Sequence, residues 1–235
     1  AFARALADQH GYRFLSAFDD PDVIAGQGTL GIELAAHAPD VVIVPIGGGG
    51  LASGVALALK SQGVRIVGAQ VEGVDSMARA IRGDTREIAP VATLADGVKV
   101  KIPGTLTRRL CSALLDDVVI VREAELRETL VRLALEEHVI AEGAGALALA
   151  AGRRVAGKRK CAVVSGGNLD AGVLARLRSE VRPRPPRKTR QRAQERLTPP
   201  ATKHAPFASA LPAGLLPAPP APRRRATAPQ EEVPA

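Results

Sequence analysis

The chain has 235 residues, with one Tyr, four Phe and no Trp, and a formal net charge of +8. The surplus is local: residues 1–180 hold 21 basic and 21 acidic residues, whereas 181–235 hold 11 basic against 3 acidic. That distribution excludes a basic globular nucleic-acid module, and so few aromatics exclude a base-stacking platform for single strands.

Ala1 to His10 reads as a helix stopped by Gly11. Tyr12 to Leu15 reads as a short apolar strand, and Gln27 to His37 as a helix. Asp40 to Ile46 is an almost unbroken β-branched run, the pattern of a strand buried on both faces in a parallel sheet. A run of four glycines, Gly47 to Gly50, follows it and leads into a helix from about Leu51 to Ser61. Val64 to Val71 and Val118 to Val121 read as further strands, and Arg122 to His138 as a long amphipathic helix. Ala162 to Val164 is the last strand and Leu169 to Leu177 the last helix. The alternation predicts an α/β fold with a doubly wound, mostly parallel sheet.

Beyond residue 180 the pattern stops. Thirteen of the eighteen prolines lie there, in a Pro/Arg/Ala-rich segment that begins at Arg182-Pro183-Arg184. Such a composition cannot bury enough apolar area to offset chain entropy, so 181–235 reads as a disordered basic tail. Cys111 and Cys161 stand far apart in apolar surroundings, which argues against a disulfide framework and for a reducing compartment. No apolar run reaches the roughly 20 residues of a membrane span. Met77 is the only methionine, so residue 1 reads as internal to a longer protein.

The four glycines sit between a buried strand and a helix. Glycine costs conformational entropy, so a run of it makes sense where backbone must come close to a ligand. Free amides and the dipole of a following helix favour an anion there, typically phosphate. The P-loop pattern is absent. A dinucleotide loop fails at its third glycine, meeting Ala52 or Ser53, and Gly143-x-Gly145-x-x-Ala148 has no clear strand before it. A second small-residue loop, Ser165-Gly166-Gly167-Asn168, follows the last strand, so two glycine loops fall on one rim of the sheet.

Five segments occur in order: Asp19-Asp20-Pro21-Asp22-Val23-Ile24-Ala25-Gly26-Gln27-Gly28-Thr29, Pro45-Ile46-Gly47-Gly48-Gly49-Gly50-Leu51, Ala95-Asp96-Gly97-Val98, Glu142-Gly143-Ala144-Gly145-Ala146 and Ser165-Gly166-Gly167-Asn168. Together they resemble the pyridoxal-phosphate enzymes of the threonine ammonia-lyase and serine racemase family, which share the tryptophan-synthase-β-like fold. The resemblance covers about residues 1–180. It implies that this part is the large cofactor domain without its N-terminal portion, and that the cofactor is pyridoxal 5′-phosphate. In it, Gly47, Gly48, Gly49, Gly50 and Leu51 look like the phosphate cradle. Ser165, with Gly166 beside it, looks like the hydroxyl that bonds the pyridine nitrogen, and Gly97 and Glu142 look like residues at the ring's edge. On local grounds Glu142 also reads as a plain carboxylate at a helix N-terminus. A neutral hydroxyl at the pyridine nitrogen suits α,β-elimination better than transamination.

The resemblance further implies L-threonine or L-serine as substrate, a 2-oxo acid and ammonia as products, a homo-oligomeric complete protein and a cytoplasmic setting, with no nucleic-acid or membrane partner. Serine racemase, or an inactive remnant that binds cofactor weakly, are the alternatives. The sequence also departs from the family. The Schiff-base lysine of a Ser-x-Lys-x-Arg-type motif and the substrate-gripping Ser-x-Gly-Asn-His-type loop are both absent. None of Lys60, Lys99, Lys101, Lys158, Lys160, Lys188 and Lys203 has the required context, so no catalytic residue is assigned and the chain alone is expected to be inactive. Some relatives hold a cation between two carboxylates six residues apart. Here Glu72 is followed at that spacing by Ala78, and Asp75 is wrongly spaced, so no metal is expected.

Overall fold

The computed structural model describes residues 2–181. The expectation of a disordered tail falls on residues that lie outside this range, apart from Val181. Helix α1 (Phe2–His10) leads through a loop to α2 (Pro21–Ala35). Then come β1 (Val41–Pro45), α3 (Gly50–Leu59), β2 (Arg65–Val71), α4 (Ser76–Ile81), α5 (Thr105–Leu114), β3 (Asp117–Val121), α6 (Glu123–Glu136), α7 (Gly143–Ala151), β4 (Lys160–Ala162) and α8 (Ala171–Glu180). The four strands form one parallel sheet in the order β3-β2-β1-β4. The chain winds from β1 toward β3 on one side and returns to add β4 on the other, so the strand order reverses between β1 and β4.

The period of two along β1 sorts the core. Val41 and Ile43 face a layer built by α6, α7 and α8, while Val42, Val44 and Ile46 face a layer built by α2, α3 and α5. All five side chains are at most 1% exposed. Full burial of a Val or Ile is worth about 1.5–3 kcal/mol, so this strand anchors both layers. Pro45 closes β1, although a central strand has no place for a residue without an N–H. Hydrogen bonds explain it: the Ile46 amide donates to Ala69 of β2 and the Val163 amide donates to Ile43. Odd-numbered residues of β1 therefore face β4, whose pairing ends at Ile43↔Ala162. The nitrogen of Pro45 points where no strand needs it, and β1 and β4 part at their carboxyl ends.

Several boundaries differ from the sequence reading. Tyr12 to Leu15 is not a strand: the segment is exposed loop and pairs with nothing in the described sheet. Four apolar residues satisfy a strand's composition but supply no partner. Helix α2 begins six residues before Gln27, because Asp20 accepts the Asp22 amide at 2.9 Å and Pro21 occupies the first turn. Strand β4 starts at Lys160 rather than Ala162, set by its register with Val41. Helix α6 ends at Glu136, shortly before His138 takes a left-handed φ of 56°. The sequence reading gives no helix at α4 or α5, and marks α7 only by a possible N-terminus at Glu142. Helix α7 is apolar on every side and buried at all positions but Leu149, so it has no amphipathic period to read.

Gly28 of α2 is buried at a close helix contact. A Cβ on Gly54 of α3 would strike the backbone of Ile24 and lie 2.6 Å from the Gly28 nitrogen. Helices α2 and α3 thus touch backbone to backbone.

Candidate active site

The two glycine loops leave the carboxyl ends of neighbouring strands. Gly47–Gly49 follows β1 and Ser165–Asn168 follows β4, on either side of the point where the strand order reverses. Open α/β sheets bind ligands in the crevice at that point.

Three carbonyls of the first loop point inward. Ile46 accepts from Gln70 Nε2 at 3.3 Å, and Gly48 accepts from Thr107 Oγ1 at 2.6 Å. The Gly49 carbonyl accepts from the Ser53 amide at 2.9 Å, with Cys111 Sγ at 4.0 Å. The described peptide bonds are all trans. In a trans peptide the N–H of the next residue points opposite to the carbonyl. The amides of Gly47, Gly49 and Gly50 are therefore turned away from the interior. Gly49 is also the N-cap of α3, at φ 97°, and no side chain caps that helix. Its first-turn amides have no intrahelical acceptor.

The glycines owe their identity to the protein's own packing. A Cβ on Gly48 would collide with the Phe18 ring, and one on Gly50 would lie 3.0 Å from Phe18 Cα. On Gly49 it would meet Met77 Cε at 2.6 Å and Thr107 Cβ at 2.9 Å. Phe18, Met77 and Thr107 therefore fill the inner side of the loop, and its amides face the other way. Leu51 packs its side chain into the α2–α3–α5 layer, so only its backbone remains for a ligand.

The other predicted residues form a continuous rim with this loop. A Cβ on Gly47 would lie 3.4 Å from the Gly97 carbonyl, and one on Gly97 would lie 3.1 Å from Glu142 Oε1. A Cβ on Gly166, whose φ is +67°, would stand 2.6 Å from the same oxygen. Glu142 is the N-cap residue of α7, yet its side chain makes no capping bond. Its Oε2 accepts the Asn168 amide at 3.3 Å, and its own amide donates to Gly166 at 3.2 Å. The carboxylate thus joins two loops, a role the local helix-terminus reading missed. Ser165 is half-buried and its amide donates to Gly145 at 3.3 Å.

Four residues to which the sequence reading gives no role, Asp19, Gly104, Phe18 and Thr107, support the loop. Asp19 accepts the amides of Thr105 at 3.0 Å and Thr107 at 2.9 Å, capping α5 from 86 residues away. Gly104, just before α5, makes room, since a Cβ there would collide with the Asp19 carboxylate. Phe18 lies under the glycine loop, and Thr107 holds it. The signal for α5 was available in Leu106, Leu110 and Leu114, spaced by four after Pro103-Gly104.

Glu72 Oε1 accepts the Glu123 amide at 2.9 Å and serves the start of α6, while Asp75 pairs with Arg79 at 3.0 Å. Cys111 is buried under the loop, 3.6 Å from the Ser53 hydroxyl. Burial pushes its thiol from 9.0 up to about 11, only partly opposed by that hydrogen bond. As pH rises the unfolded chain therefore loses this proton first. The stability involved is whole below pH 9 and is lost as pH approaches about 11. Relative to Cys111→Ala, the wild type is expected to lose about 2–3 kcal/mol across that window, measured by denaturant unfolding at both ends. An unchanged difference would show that solvent reaches the thiol.

Fold and rim together define an α/β protein with two neighbouring glycine loops at the switch point of a parallel sheet. The family described as pyridoxal-phosphate dependent enzyme matches residues 1–166, and the chain belongs to it. It is 42% identical over 183 residues to the L-threonine ammonia-lyase of Thermotoga maritima, covering 74% of this chain and 46% of that protein. With the catabolic L-threonine dehydratase of Escherichia coli K12 it shares 40% over 183 residues, covering 73% and 56%. The chain therefore spans about half the length of these curated relatives. Among solved structures it is similar to the processed threonine deaminase isoform 2 of Solanum lycopersicum, with a TM-score of 0.70 at 31% identity, covering 76% of this chain and 55% of that one. It is also similar to maize serine racemase, with a TM-score of 0.68 at 30% identity, covering 76% and 59%.

Proposed function

We propose that this chain contains the larger part of the cofactor domain of a threonine ammonia-lyase. The observation that carries the reading is the set of outward amides at Gly47, Gly49 and Gly50, next to the Ser165 loop on the adjacent strand. A dianionic phosphate fits that set, because the charge meets backbone donors and a helix N-terminus. Pyridoxal 5′-phosphate, once bound, supplies an electron sink for bonds at an amino acid's α-carbon.

The chain's own residues would hold and orient it. Gly47 to Gly50, with the Leu51 amide, would take the phosphate. The Ser165 hydroxyl would serve as a neutral partner for the ring nitrogen, with Gly166 beside it. Glu142 and Gly97 bound the ring's edge. In the complete protein the net reaction turns L-threonine into 2-oxobutanoate and ammonia, or L-serine into pyruvate and ammonia; the water lost in elimination is regained in hydrolysis. Serine racemase is the second reading, supported by the likeness to the maize enzyme. Turnover of threonine against serine, and of L-serine against D-serine, by the complete protein separates the two.

The covalent attachment of the cofactor is proposed to come from outside these 235 residues. Lys60 pairs with Asp116 at 2.6 Å, Lys101 with Glu87 at 3.1 Å, and Lys160 donates to Gly152 and Val155. The chain is expected to bind pyridoxal 5′-phosphate reversibly and at least tenfold more tightly than pyridoxal, which lacks the phosphate. That factor corresponds to about one charge-assisted hydrogen bond. Borohydride reduction is expected to label no single lysine. Equal affinity for the two ligands would refute the cradle, and stoichiometric labelling of one residue, Lys99 beside the Gly97 turn being nearest in sequence, would refute the absence of an attachment point.

A further inference from the structure

We infer that Thr107 is a positioning residue for the phosphate cradle, set in place by Asp19. The inference rests on the reading of the crevice given above and adds a cause for its geometry. Four consecutive glycines have no intrinsic preference that would fix their peptide planes. A loop of this kind presents amides to a ligand only if something else holds its carbonyls. The Gly48–Gly49 peptide is the one at issue, because its N–H is the middle donor of the three. Its carbonyl is held by the Thr107 hydroxyl at 2.6 Å, the shortest of the bonds that turn the loop's carbonyls inward.

Thr107 is fully buried, so this bond does not compete with solvent. Its place is determined from outside its own helix. Helix α5 begins after a glycine, which offers no side-chain cap. Asp19 takes that role and accepts the Thr107 amide itself. The same segment lays Phe18 under Gly48 and Gly50. Residues 18–19 therefore press the loop from below and fix the helix that grips its carbonyl. Without the hydroxyl, the Gly48–Gly49 plane can rotate and take the outward amide with it.

The test uses Thr107→Val, which keeps the shape and removes the hydroxyl, and Thr107→Ser, which keeps the hydroxyl. Pyridoxal 5′-phosphate and pyridoxal are titrated separately against each, and thermal unfolding is recorded without ligand. Thr107→Val is expected to lose about tenfold in affinity for the phosphate ester, with pyridoxal binding unchanged, and Thr107→Ser is expected to stay within about threefold of wild type. Undiminished binding of the phosphate ester by Thr107→Val would overturn the inference. A parallel fall for both ligands would overturn it too, since that marks a general loss of structure. If Thr107→Val does not fold, the wild type decides: inorganic phosphate is expected to shift the Gly49 amide resonance, and an unmoved resonance defeats the inference. A wild type that fails to prefer the phosphate ester would instead remove the cradle itself, and this inference with it.

Discussion

Replacing Gly145 by alanine is expected to lower folding stability by about 2–4 kcal/mol. Gly145 lies on the buried helix α7, and a Cβ there would land on the Ser165 carbonyl. The Gly145 carbonyl already accepts the Ser165 amide at 3.3 Å, so the two backbones are in contact. A neighbour made of backbone cannot swing aside as a flexible side chain would. The clash must be relieved by moving α7 or the segment after β4, and both belong to the core. Alanine's better helix propensity returns only about 1 kcal/mol. Gly26 is the control. It is exposed in α2 and a Cβ there meets nothing within 4 Å, so Gly26→Ala is expected to gain about 0.5–1 kcal/mol. Urea unfolding of the two variants beside wild type checks the contrast. A Gly145→Ala protein within about 0.5 kcal/mol of wild type would mean that the Ser165 loop is not held by α7.

Gly49→Ala is expected to weaken pyridoxal 5′-phosphate binding by about 100-fold, the worth of two hydrogen bonds to a charged group. Gly49 sits at φ 97°, where an alanine is strained by about 1–2 kcal/mol. Its Cβ would also press on Met77 and Thr107, and neither side chain has any exposed surface into which it could move. Both strains are relieved by rotating the backbone at Gly49, which turns the amides of Gly49 and Gly50 off the crevice. The effect should be specific to the phosphate ester. Titration with pyridoxal in parallel reads this directly, and a loss below about threefold would show that the amides at 49 and 50 contribute little to binding.

The placement of the two loops of the candidate site was legible because composition marks them. Glycine and small-residue runs at strand ends have few other uses, and those at Gly47–Gly50 and Ser165–Asn168 do fall on adjacent strands of one sheet. The β-branched run of β1 read correctly as buried on both faces for a similar reason: periodicity and composition are properties of consecutive residues. Helices without an amphipathic stripe were not legible. Helix α7 consists of Gly, Ala and Leu, buried on nearly every side, and nothing in such a run separates helix from loop. Tyr12 to Leu15 erred in the opposite direction, since an apolar tetrapeptide is a strand only if another strand pairs with it.

What the sequence by itself determined is the class: a neutral α/β domain of the pyridoxal-phosphate family, followed by a stretch that carries the whole net charge of +8. What only the tertiary structure decided is which way the glycine loop faces. That orientation comes from Gln70, Thr107 and the Asp19-capped helix behind it, groups far removed from one another in the chain. A peptide plane between two glycines has no local preference, so its direction is set by whichever distant donor reaches its carbonyl. Charge and period are local sums, whereas the direction of an N–H is a product of packing.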